Sequence, residues 1–145
     1  MKQLVVRVKM RITSKTSSRS IKLIVLANGG AESSAPLIVV DPRAAKELGM
    51  WPPPAKTDIY MVEEASTITH IYLIPNAVTI ELLDEQENPL SKIEADLAIQ
   101  EDLTEPLITD ITIDELGIQV ISFSKGLWRH KDDPPDKVRK SPKTI

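Results

Sequence analysis

Cysteine is absent from this 145-residue chain, which excludes a disulfide scaffold, a thiolate metal site and a cysteine nucleophile. Histidine occurs only at 70 and 130, too sparsely for a His-rich metal centre within one chain. Five aromatics, Trp51, Tyr60, Tyr72, Phe123 and Trp128, are too few to stack successive bases. No apolar run reaches the roughly 18 residues of a membrane-spanning helix. Arg7, Lys9 and Arg11 interrupt the N-terminal segment, so it does not read as a signal peptide. The expectation is a cytoplasmic protein with no membrane contact, no metal and no cofactor. Its core must be built from Ile, Val and Leu, and a composition of 41% hydrophobic and 27% charged residues suits one folded domain.

The net charge is only −3, but it is unevenly distributed. Residues 1–22 hold seven basic groups and no acid, residues 81–115 hold twelve acids and one base, and residues 125–145 hold seven bases and three acids. Such asymmetry marks either a nucleic-acid contact or an oligomer that pairs opposite patches. An overall acidic chain makes nucleic acid the weaker reading, with Arg7, Lys9 and Arg11 as the solvated face of a strand.

Val6, Val8, Met10 and Ile12 alternate with those bases, a period of two that predicts a strand. Ile21–Leu26 is nearly continuous and β-branched, predicting an interior strand paired to the first in a hairpin. Two of the five glycines follow at once in Asn28-Gly29-Gly30-Ala31, the sequence of a tight turn. Further strands are predicted at 37–40, 58–62, 67–74, 77–83 and 118–123, with 77–98 as a long hairpin. Asp41-Pro42 opens a short helix that Gly49 ends, and Thr109 or Asp110 opens a second that Gly117 ends. Residues 125–145, charged and Pro-rich apart from Trp128, are expected to form a loose tail to a β domain over 1–124.

The order of these elements resembles the retroviral-type (retropepsin-like) aspartic protease family. The apolar strand Ile21–Leu26 runs into the Asn28–Ala31 turn, and Ala44-Ala45-Lys46-Glu47-Leu48-Gly49-Met50 is similar to the family's Ala-x-x-Leu-Gly-Leu segment. Pro106-Leu107-Ile108 followed by Asp114-Glu115-Leu116-Gly117-Ile118 looks like its closing strand and helix. The resemblance covers roughly residues 4–123. It implies a mostly β, antiparallel closed sheet with two short helices, a flap hairpin within 62–75, and a homodimer whose active site lies on the two-fold axis. The family carries an Asp-Thr/Ser-Gly-Ala turn. Here Asn28 stands at the Asp position, and Gly29 replaces the hydroxyl residue that links the two turns.

That departure decides the expected chemistry. The family's reaction uses two carboxyls about 3 Å apart that share one proton, because like charges so close do not both ionise. A carboxamide orients water but cannot take the proton that makes water a nucleophile. Glu32, just past the turn, is the candidate substitute acid. Asp41, Asp110 and Asp114 read as helix-cap or solvated residues, Glu63-Glu64 as a wet edge, His70 as a strand-face residue and His130 as a surface residue. Asn28-Gly29 is also a deamidation-prone pair, and deamidation would place Asp or isoaspartate in the turn. The expected function is therefore a non-catalytic, homodimeric peptide- or protein-binding module. An active aspartic endopeptidase is the alternative, and a nucleic-acid-associated protein the second alternative.

Overall fold

A computed structural model describes residues 5–55, 57–64 and 67–143. The chain forms β1 (Val6–Ser14), β2 (Ser20–Ala27), β3 (Leu37–Val40), α1 (Pro42–Glu47), β4 (Asp58–Glu64), β5 (Thr67–Leu83) and β6 (Pro89–Gln100). It continues through β7 (Leu107–Ile108), α2 (Asp110–Leu116), β8 (Ile118–Ser122), β9 (Leu127–His130) and β10 (Arg139–Lys140). The protein is mostly β with two short helices, as the periodicity predicts.

The large sheet has the order β1-β2-β7-β3-β6-β5-β4, and β1 pairs with β5 as well as β2. Contrary to the antiparallel expectation it is mixed, because β2 with β7 and β3 with β6 run parallel. Parallel neighbours need a long crossover, and the segment between β3 and β6 provides one. An alternating pattern fixes which face of a strand is buried, not the direction of its neighbour. Residues 67–74 and 77–83 join into the single strand β5. Its pairing with β6 shifts register between Ile74 and Val78, where Asn76 takes a positive φ of 49° and donates its N–H to Asp96 Oδ1. Pro75 and Asn76 bulge out without ending the strand.

Val6, Val8, Met10 and Ile12 are wholly buried in a core shared with Val25, Ile38, Leu48, Ile80, Leu97, Ile108 and Leu116. The bases on the other face of β1 are not merely solvated. Arg7 pairs with Glu105, Lys9 with Glu87, Arg11 with Glu81, Lys15 with Glu94, and Lys22 also reaches Glu87. The basic first strands and the acidic middle of the chain meet on one surface, which accounts for the charge asymmetry.

Both helix signals hold. Asp41 Oδ1 accepts the Ala44 N–H at 2.9 Å, and Gly49 and Gly117 end the helices with φ of 73° and 79°. The expected loose tail instead contributes two strands, β9 and β10, which join β8 in a three-stranded sheet of order β10-β9-β8. Trp128 is buried in the core, Arg139 lies 5.7 Å from its ring centroid, and Ser141 Oγ accepts the Arg7 N–H at 2.9 Å. Polar, Pro-rich composition did not signal this order, because it rests on contacts that Trp128, Arg139 and Ser141 make with residues distant in the chain.

Arg139 donates to both oxygens of Asp133, and this hydrogen bonding holds the Asp133 carboxyl at about 2, down from the ordinary 3.8. A depressed carboxyl stabilises the fold above its unfolded pKa and loses that contribution as pH falls through about 2. Asp133→Asn is expected to cost about 1–3 kcal/mol at neutral pH and to flatten the acid loss of stability between about pH 4 and 2, read from denaturant melts across that range. In the same melts, Ile12→Ala should cost about 2–5 kcal/mol as a core cavity, whereas Arg11→Ala should stay within about 1 kcal/mol as a partly exposed pair.

Candidate functional site

Strand β2 delivers Asn28 beside the end of β7, since Ala27 is in register with Ile108. The Asn28 N–H donates to Ile108 O at 3.2 Å, the Ala31 N–H to Asn28 O at 3.1 Å, and the Asp110 N–H to Ala31 O at 2.8 Å. The turn is thus fastened to the strand before α2 and to the first residue of α2. Asn28 is half-buried, and its Oδ1 accepts a long 3.4 Å bond from the Gly30 N–H. Gly29 and Gly30 are exposed.

Neither of these glycines lies in the left-handed region, so the tight turn does not draw on the backbone freedom of glycine there. Gly29 supplies room instead. A Cβ placed there would come within 3.2 Å of Phe123 Cζ, the exposed ring that follows β8. Phe123 went unrecognised in the sequence because the contact joins residues far apart in the chain.

A buried chain of hydroxyls holds the loop from below. Ser33 and Thr109 share a hydrogen bond of 2.7 Å, Thr109 and Thr112 one of 2.8 Å, and Thr112 Oγ1 accepts the Leu37 N–H at 2.8 Å. Thr109 is the N-cap residue of α2, yet its side chain makes no capping bond because this chain occupies it. The available signal was Thr112, a polar residue four before Leu116 on the inward face of the helix.

Of the other candidates, Asp110 sits against the turn through its backbone N–H to Ala31 O, but among the described residues no carboxylate is hydrogen-bonded to the Asn28 side chain. Glu32 is exposed, and its carboxylate makes no hydrogen bond or ion pair with any described residue. Asp41 caps α1, while Asp114 is exposed on α2. Glu63 is exposed, and the tip of the β4–β5 hairpin, where a flap would turn, lies outside the described residues, as does the Glu64 side chain. His70 Nδ1 lies 3.1 Å from Glu101 Oε1 on the strand face. His130 is not a surface residue. The alternation of β9 turns it inward with Trp128, and its Nδ1 accepts the Asp132 N–H at 3.2 Å. Among the described residues no cluster of His, Asp and Glu suits a metal ion, and no helix is long and apolar enough to cross a membrane.

An open groove of about 670 Å³ lies away from the turn. It lies over the outer face of β1 and β2, lined by Arg7, Lys9, Lys22, Glu87 and Glu105 among others. Its cations are committed to its carboxylates, so it lacks the unpaired basic stripe that a nucleic-acid surface needs. A scan against protein-family models finds no match, and neither does a search of curated protein sequences.

Thr112→Val removes a buried hydroxyl and leaves the Leu37 N–H and the Thr109 hydroxyl each short of a partner. It should lower stability by about 1–3 kcal/mol in chemical denaturation while Thr112→Ser costs less.

Proposed function

We propose that this chain is a non-catalytic relative of the retroviral-type aspartic proteases that acts as a cytoplasmic, homodimeric peptide- or protein-binding module. The observation that carries the reading is Asn28: a residue at the end of β2 whose backbone N–H is fastened to Ile108 O and whose side-chain carboxamide has no carboxylate bonded to it among the described residues. The resemblance in element order supports the family assignment. The parallel pairing of β2 with β7, with β3 antiparallel on the other side of β7, supports it further by setting the turn beside the start of α2. The pairing of β1 with β5 supports a sheet that closes on itself.

In such a dimer each protomer contributes one Asn28 to the axis. Neither amide gains or loses a proton near neutral pH, so the step in which water becomes a nucleophile has no base. Binding of an extended segment survives that loss, because strand addition uses backbone groups rather than the dyad.

Light scattering is expected to give the mass of a dimer. The wild-type protein should not cleave a peptide mixture at pH 4–6, whereas Asn28→Asp should acquire cleavage about 10²–10⁴-fold above it and sensitive to a general aspartic-protease inhibitor. Cleavage by the wild type, or a monomeric mass, would overturn the proposal.

A further inference from the structure

Strand β4 ends the order of the large sheet and, among the described residues, pairs only with β5, so its outer edge presents backbone donors and acceptors that no described strand pairs. Soluble proteins ordinarily blunt such an edge with lysine, proline or a covering element. This one carries Ile59, Tyr60 and Met61 at 59, 51 and 72% exposure, with Ile68 at 61% on the neighbouring strand. The register sets Ile59 opposite Tyr72, Met61 opposite His70 and Glu63 opposite Ile68 on one face, and Tyr60 and Val62 on the other. Apolar side chains therefore stand on both faces of a strand whose edge is open.

The charge along β4 and β5 has one sign. Residues 57–91 contain seven acids and no Lys or Arg. Glu81, Glu85 and Glu87 are engaged by Arg11, Arg139, Lys9 and Lys22, but Asp58 and Glu63, near the two ends of β4, form no ion pair with any described residue. A second copy fits this edge poorly. Two-fold antiparallel pairing of β4 with itself brings Asp58 opposite Glu63 when centred between Tyr60 and Met61, and opposite Glu64 when centred on Met61. Like charges directly opposite each other destabilise a strand pair.

We propose that the β4 edge is a docking strand for an extended, cationic segment of a partner protein, in which basic residues alternate with β-branched ones. The partner's backbone extends the sheet, its branched side chains cover Ile59 and Met61 on one face, and its basic side chains meet Asp58 on the other, while Glu63 at the far end of β4 adds attraction of the same sign. This stands on the free edge and its charge, and does not depend on what the Asn28 turn does.

The test is fluorescence anisotropy with a labelled, acetylated peptide of four Lys-Val repeats, compared with four Glu-Val repeats, and amide hydrogen exchange read along the chain. The Lys-Val peptide should bind at least about tenfold more tightly, weaken with added salt and protect the amides of β4. The double variant Asp58→Lys, Glu63→Lys, which alters only exposed side chains, should reverse the preference between peptides. Equal binding of the two peptides, binding of neither, protection elsewhere than on β4, or an unreversed preference in a folded double variant would each overturn the proposal. Protection of β4 that grows with concentration of the protein alone would also overturn it, by assigning the edge to a second copy. Wild-type binding and exchange decide the matter even where the double variant does not fold.

Discussion

Strand β1 is paired along both edges, to β2 and to β5, while Val6, Val8, Met10 and Ile12 fill one side of it without any exposure. Several long-range contacts of the body refer back to this strand. Its inward side chains are core for β2, β5 and β6. Its outward bases hold the acids of the 84–88 turn and the 101–106 loop. Its first backbone N–H but one anchors Ser141 near the far end of the chain. Burial supplies most of the stabilisation, since each large aliphatic side chain removed from water is worth roughly 1.5–3 kcal/mol, against about 0–1 kcal/mol for each partly exposed ion pair. The pairs matter more for register and for neutralising charge than for total stability.

This scaffold positions the Asn28 turn with little reliance on the turn's own residues. Ile108 O, the Asp110 N–H and the buried Ser33–Thr109–Thr112 hydroxyls fix where Asn28 and Ala31 lie. Gly29 contributes space under Phe123 rather than backbone freedom. A geometry imposed from outside tolerates a change of chemistry at its tip, so exchange of a carboxylate for a carboxamide there need not disturb the fold. The same independence separates the turn from the β4–β5 arm, which carries its own exposed apolar side chains and, in Asp58 and Glu63, carboxylates that pair with no described residue.

The C-terminal sheet shows how a few specific contacts order a segment of unpromising composition. Residues 125–143 are rich in charge and proline, yet Trp128 and His130 point inward from β9, and Arg139 engages the Trp128 ring, Asp133 and Glu85 together. An Arg side chain that is planar and always charged can serve all three at once. The ion pair of Arg139 with the well-shielded Asp133 is the one electrostatic contact here with a marked effect on a carboxyl, and it depresses the Asp133 pKa.

By itself the sequence determined the class of the protein, most strand positions, both helices with their Asp41 cap and glycine ends, and the apolar face of β1. Each of these rests on a local period or a local hydrogen bond. It also placed a carboxamide at Asn28, which no folding can turn into a base. Tertiary structure alone decided the parallel pairings of β2 with β7 and β3 with β6, the joining of two expected strands into β5, the ion pairs between the basic and acidic thirds, the inward turn of His130 and the order of the last strands. These depend on partners distant in the chain, and an alternating pattern records which face of a strand is buried without recording what lies against it.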